Sequence, residues 1–164
     1  FGDAIYLAKI ETKYWIEYIC KRFENTGKHI SPELAEEICR LVDNHSSYVQ
    51  QLSWLLWIRT INTATTEQLS YALEDLLDQN NILFQSETEN LSAYQMNFLK
   101  AIVDGIHTKF SSKEVISKYN LGTSANIVRL KNALLQKELI ETNGKEIVLA
   151  DPVFEVWFKK EMLY

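Results

Sequence analysis

The sequence predicts a mainly α fold in two parts: a bundle of four helices over residues 1–90, then a helical unit carrying a small β-hairpin over residues 91–164. Three observations carry that reading. Apolar residues recur at helical spacing along most of the chain. Only five glycines and two prolines occur in 164 residues, too few for a loop-rich or all-β chain. Formal charge also changes sign near residue 90, from net −7 over residues 1–90 to net +2 over residues 91–164, within an overall −5. The change coincides with Gln85-Ser86-Glu87-Thr88-Glu89-Asn90, a stretch without an apolar residue between two periodic segments, where the domain boundary is placed.

Residues 1–10 read as an incoming extended segment, because Ala4, Tyr6, Ala8 and Ile10 alternate with Ile5, Leu7 and Lys9 without helical phasing. Thr12 is placed to cap a first helix running to about Asn25, with Trp15, Ile16, Ile19 and Phe23 on one face. Ser31-Pro32 opens the second, since proline at the first helical position loses no intrahelical bond, and Leu34, Ile38, Leu41 and Val42 recur at helical spacing. Ser46 or Ser47 opens a third with Tyr48, Leu52, Leu55 and Leu56 inward. The capping box Thr65-Thr66-Glu67-Gln68 opens a fourth through Leu69, Leu73, Leu76 and Leu77 to about Asn80. Tyr14, Trp15, Tyr18, Trp54 and Trp57 read as core and bundle seam, with at least one of Trp54 and Trp57 buried.

In the second part, the boxes Ser92–Gln95 and Ser111–Glu114 open two helices. The first has Met96, Leu99, Ile102 and Val103 inward, and the second runs through Val115 and Ile116 to Tyr119. The turn Asn120-Leu121-Gly122 follows, and Thr123 or Ser124 caps a helix with Ile127, Leu130, Ala133 and Leu134 on its apolar face. Leu139–Thr142 and Glu146–Leu149 are β-rich runs around Asn143-Gly144, a hairpin signal, and Asp151-Pro152 starts a last helix with Phe154, Trp157 and Phe158. Helix, helix, tight turn, helix, hairpin is the order of a winged helix-turn-helix.

Such a unit suggests phosphate neutralisation with groove reading. Residues 109–131 hold Lys109, Lys113, Lys118, Arg129 and Lys131 against Glu114 alone. Lys113, Lys118 and, on the wing, Lys145 are the candidate phosphate contacts. Ser124, Asn126 and Arg129 stand where such a helix meets base edges, asparagine suiting adenine and arginine guanine. Double-stranded DNA or a protein is therefore the expected partner of this half.

Other functions lack their residues. The two cysteines, Cys20 and Cys39, sit in apolar helical patterns and read as free thiols in a reducing, cytoplasmic setting. Three scattered histidines make no metal-ligand spacing, so no metal is expected. No apolar run exceeds five residues, against the roughly 18–20 that a membrane span needs. Carboxylate pairs such as Glu36-Glu37 and Asp75-Asp78 fall on faces that look solvated, and no nucleophile elbow is present, so the chain itself is not expected to be an enzyme.

Asn44-His45-Ser46-Ser47-Tyr48-Val49-Gln50-Gln51-Leu52, followed by Trp54 and Trp57, resembles a segment in the helical lid of archaeal-type P-loop ATPases of the AAA+ superfamily. Leu121–Leu130 and Ala133–Ile140 resemble the turn, recognition helix and wing entry of winged helices. Asp151-Pro152-Val153-Phe154-Glu155-Val156-Trp157-Phe158 resembles the start of that family's last helix. The resemblance spans about residues 5–160. It implies a lid over residues 1–90 and a winged helix over 91–164, with a P-loop domain upstream as partner and ATP and Mg²⁺ bound by that domain. Asn44, His45, Ser46 and Tyr48 would lie near the nucleotide. No G-x-x-x-x-G-K-[ST] occurs here, so no cofactor is expected for this chain alone. The arginine that many such lids direct at the γ-phosphate has no counterpart at Ser46, Ser47 or Tyr48. The alternative is a stand-alone winged-helix transcriptional regulator with a helical dimerisation or sensing domain.

Overall fold

The computed structural model describes residues 9–162. Over these residues the chain is mostly helical with one two-stranded antiparallel sheet. Its elements are α1 (Thr12–Glu24), α2 (Pro32–Leu41), α3 (Ser46–Arg59), α4 (Thr66–Glu89), α5 (Ala93–Val103), α6 (Lys113–Tyr119), α7 (Ser124–Gln136), β1 (Ile140–Asn143), β2 (Glu146–Leu149) and α8 (Pro152–Met162). They form two compact units, Phe1–Gln79 and Asn80–Tyr164. The extended segment expected at residues 1–10 lies outside the described residues except for Lys9 and Ile10; Lys9 pairs with Asp43 at 2.5 Å.

In the first unit, α1 packs on α2 and α3 through Trp15, Ile19 and Phe23, opposite Ala35, Ile38, Val49, Leu52 and Leu56, all buried. Local chemistry sets the helix starts. Ser31 accepts a hydrogen bond from the Leu34 amide at 3.1 Å, with Pro32 at the first helical position. Thr65 and Gln68 make the reciprocal bonds of a capping box. A short bridge ties the α1–α2 loop to the α3–α4 loop, where the His29 amide donates to Asn62 and the Ala64 amide to His29.

Two expectations here need correction. Thr12 does not cap α1; Glu11 is the N-cap, and the Thr12 hydroxyl is instead paired with the Asn44 side chain. Tyr48 does not face inward: α3 begins at Ser46, with His45 as N-cap, but it turns Val49, Leu52, Leu55 and Leu56 into the unit and leaves Tyr48 only half-covered.

Helix α4 passes the expected stop near Asn80 and runs on to Glu89, so all of the polar stretch at 85–90 except Asn90 is helix. Phe84 explains the continuation. It is 1% exposed and meets Phe154 edge-on at 5.4 Å and Trp157 at 5.6 Å, so its burial stabilises turns whose residues are tolerable helix formers. Thr88, also buried, returns its hydroxyl proton to carbonyls of the preceding turn.

The second unit is a winged helix. Ser92 and Gln95 form a complete capping box on α5. Helix α6 is capped by Ser112, which accepts from the Val115 amide, and not by Ser111. Phe98 of α5 stacks on Phe110 at 4.4 Å, and Trp157 of α8 donates its indole proton to Asn81 at 2.8 Å, which satisfies a buried polar atom. The hairpin pairs Ile140 with Leu149 and Asn143 with Glu146, so its two-residue loop is Gly144-Lys145 rather than Asn143-Gly144. Gly144 has φ +60°, as a glycine-first hairpin turn requires. Asp151 caps α8 by accepting from the amides of Val153 and Phe154 at 2.7 and 3.0 Å.

Candidate nucleic-acid interface

The face that could meet a duplex is built on α6, α7 and the wing. Helix α6 ends at Asn120, whose left-handed conformation (φ +49°) turns the chain, and Leu121 is fully buried behind it. Gly122, at φ +85°, lets the chain enter α7; a Cβ there would stand 3.2 Å from Nδ2 of Asn126 and 3.5 Å from the Tyr94 ring. Ile127, Leu130 and Leu134 bury one side of α7. Ser124, Ala125, Val128 and Arg129 are exposed on the other, at the spacing of one helical face. Val128, 63% exposed, lies in the middle of that face.

Four cations of this face carry no ion pair among the described residues. Lys113 opens α6 and is exposed, Lys118 is exposed near its end, and Lys145 stands in the wing loop. Among the described residues, none of Lys113, Lys118, Arg129 and Lys145 has a carboxylate within ion-pair distance. The Lys118 ammonium lies 4.9 Å over the Tyr119 ring. Tyr119 first, and the charges of Asp104 and Glu114 more weakly, hold that ammonium above its ordinary pKa, so it stays charged.

Asn126 differs from its expected neighbours. Its Nδ2 donates to the Leu121 carbonyl at 3.0 Å, and its Oδ1 accepts from Arg129 Nη2 at 2.8 Å. The two candidate base readers are thus brought together, but with Asn126 half-buried and tied to the turn. The sequence supplies an amide at the right place and gives no sign of its internal partner.

The four residues expected near a nucleotide gather where α2 passes into α3. Asn44 is left-handed (φ +53°) and makes two side-chain hydrogen bonds with Thr12, fixing this corner to the start of α1. His45 occupies the N-cap position of α3 without a side-chain capping hydrogen bond, and its ring lies 4.8 Å from that of Tyr48. Ser46 is the first helical residue and half-covered.

The aromatic residues expected in the bundle seam are the largest departure. Only Trp15 is buried; Tyr14, Tyr18 and Trp54 are 54%, 41% and 57% exposed, and Trp57 is half-covered. Helical spacing shows which rings share a face but not whether anything covers it. Tyr18, Trp54 and Trp57, with Ile19, Arg22, Phe23, Thr26, Gln50 and Ser53, line an open cavity of about 330 Å³ between α1 and α3.

A family model described as a probable winged helix domain matches residues 82–160. No curated protein sequence matches the chain. Among solved structures, the Walker-type ATPase of Pyrococcus abyssi is similar with a TM-score of 0.70 at 18% identity. That match covers 92% of this chain and 42% of the other, so the chain spans less than half the length of the ATPase it resembles, and the likeness is one of fold.

Proposed function

We propose that this chain is the non-catalytic lid and winged-helix portion of an AAA+-type P-loop ATPase, and that its winged helix presents α7 to double-stranded DNA under control of the nucleotide state. The observation that carries the reading is the fold likeness to a Walker-type ATPase over nearly all of this chain, both units included, within a longer protein. A P-loop domain elsewhere in the protein would bind ATP and Mg²⁺, and Asn44, His45, Ser46 and Tyr48 would border that nucleotide. Opening and closing of that domain would carry the helical unit with it and so move the winged helix. Contact with DNA is supported by Lys113, Lys118, Arg129 and Lys145, none of which has a carboxylate within ion-pair distance among the described residues, with Ser124 and Arg129 on the outward face of α7.

A second reading, that α7 docks on a protein, is favoured by two observations: Val128 exposes its side chain at the centre of the face, and Asn126 already holds internal partners. Titration with duplex DNA at about 50 mM salt separates the two, since phosphate contacts strengthen steeply as salt falls. Binding that weakens with salt and is lost on joint charge reversal at Lys118 and Arg129 supports the DNA reading; no binding, or binding indifferent to the reversal, supports docking. For the ATPase assignment, a protein extended upstream of Phe1 by about 150–200 residues, a domain's length, should hydrolyse ATP with Mg²⁺ while the present chain does not. Turnover by the present chain would overturn the division of labour.

A further inference from the structure

We infer that the cavity between α1 and α3 is a binding site for a small, flat aromatic acid, its ring held among Tyr18, Trp54 and Trp57 and its carboxylate met by Arg22. The volume, about 330 Å³, lies at the lower end of the range of small-ligand pockets, and the floor is apolar, with Ile19 and Phe23 each 1% exposed.

Two of the three rings are already held in place. Tyr18 packs edge-on against Trp15 at 5.8 Å, with the Arg22 guanidinium 5.2 Å from its centroid. Trp57 donates its indole proton to Thr26 at 2.9 Å, and the Lys28 ammonium lies 4.0 Å from its ring while donating to its carbonyl. Trp54 has no such neighbours among the described contacts and is 57% exposed, so it is the wall free to close on a ligand.

The polar groups fix the ligand's chemistry. Thr26 donates to the Phe23 carbonyl and accepts from Trp57, and Ser53 donates to the Val49 carbonyl, so neither has a proton to offer. Gln50 donates to the Ser46 carbonyl at 3.3 Å. Arg22 is the one charged residue in the lining, and no carboxylate lies within ion-pair distance of it among the described residues. A guanidinium beside an aromatic slot suits a planar carboxylate, which it can meet with two parallel N–H donors, and it repels an amine.

The test uses the ¹⁵N-labelled 164-residue chain, whose four tryptophans each give an indole N–H signal. The signals are followed during titration with 2-naphthoate, 2-naphthalenemethanol and 2-naphthylmethylamine. Naphthoate should shift Trp54 and Trp57 saturably, with a Kd of about 0.1–1 mM, and leave the buried Trp15 and Trp157 unmoved. The alcohol should bind about tenfold more weakly and the amine more weakly still. Arg22→Gln should bring naphthoate down to the alcohol's affinity. Trp54→Ala should remove binding while leaving the rest of the spectrum in place, because an exposed side chain is being cut. The inference is overturned by naphthoate and alcohol binding alike, by Arg22→Gln leaving the acid's affinity intact, or by no movement of Trp54 and Trp57 at about 5 mM ligand.

Discussion

Asn126 offers the sharpest test, because its structural role and its candidate role in reading a base predict opposite results. Asn126→Ala removes the donor to the Leu121 carbonyl and the acceptor for Arg129. The first loss weighs more. Leu121 is fully buried at the turn between α6 and α7, and removing the partner of a buried carbonyl costs about 1–3 kcal/mol. The second is a contact of an exposed arginine and adds little. Since Asn126 is itself only half-buried, a total of about 1–2 kcal/mol is expected. For a unit of this size that is a fall in melting midpoint of about 4–8 °C per kcal/mol. The assay is thermal melting followed by circular dichroism, run beside a DNA titration of the same variant. Asn126→Asp is the control: it keeps an acceptor for Arg129 but sets a carboxylate against the Leu121 carbonyl, and should be at least as destabilising as alanine. An unchanged midpoint for both variants, joined to a loss of discrimination between DNA sequences, would refute the structural role and restore Asn126 as a base reader.

Four further outcomes are expected. Phe84→Ala should cost about 3–5 kcal/mol because it empties a site closed by Phe154 and Trp157, whereas Trp54→Ala, 57% exposed, should cost less than about 1 kcal/mol; denaturant unfolding compares them, and equal losses would contradict the burial pattern. Asp151→Ala should lose about 1 kcal/mol of cap stability, and Asp151→Asn less. Burial first, and the Asp151 charge second, raise the Glu87 carboxyl above its ordinary 4.5. A carboxyl raised in the folded chain makes its most favourable contribution below its unfolded value and loses it as pH climbs through the folded value, so stability should fall across that window and fall less in Asp151→Asn. Burial pushes the Cys39 thiol up to about 11 and raises Cys20 more modestly, so a thiol reagent at pH 8 should leave Cys39 unmodified in the native chain and label both cysteines in denaturant; rapid native labelling of both would count against the packing of α2.

The parts of the fold legible in the sequence are those set by local chemistry. Ser31, Thr65, Ser92 and Asp151 all cap the helices they are placed to cap, because a hydroxyl or carboxylate next to an apolar periodic run has one obvious use. Where two such residues adjoin, the choice depends on tertiary placement. Ser112 caps in place of Ser111, and Thr12 is drawn off by Asn44, a residue 32 positions away. The run at 85–90 misleads for the same reason. Its polarity describes the solvent side of α4, while Phe84 and Thr88 on the buried side prolong the helix.

The candidate interface was legible in its charges and its scaffold but not in its connections. Lysines and arginines on α6, α7 and the wing need only be exposed to act on phosphate, and for Arg129 exposure follows from its place on α7 opposite Ile127, Leu130 and Leu134. Base reading asks more, since a side chain must be both exposed and uncommitted, and the Asn126–Arg129 bond makes each residue a condition of the other's freedom. For Arg129 to reach a base edge it must leave Asn126, whose remaining bond to Leu121 still fixes the turn. The exchange gives up one exposed hydrogen bond for a bidentate one, which the guanidinium's five donors permit without disturbing the fold. Asn126 has no equivalent exchange, since releasing it unties the turn that positions α7. The physical division of the pair is therefore unequal: Arg129 is the residue able to contact a partner, and Asn126 the one that holds it at the surface until that contact forms.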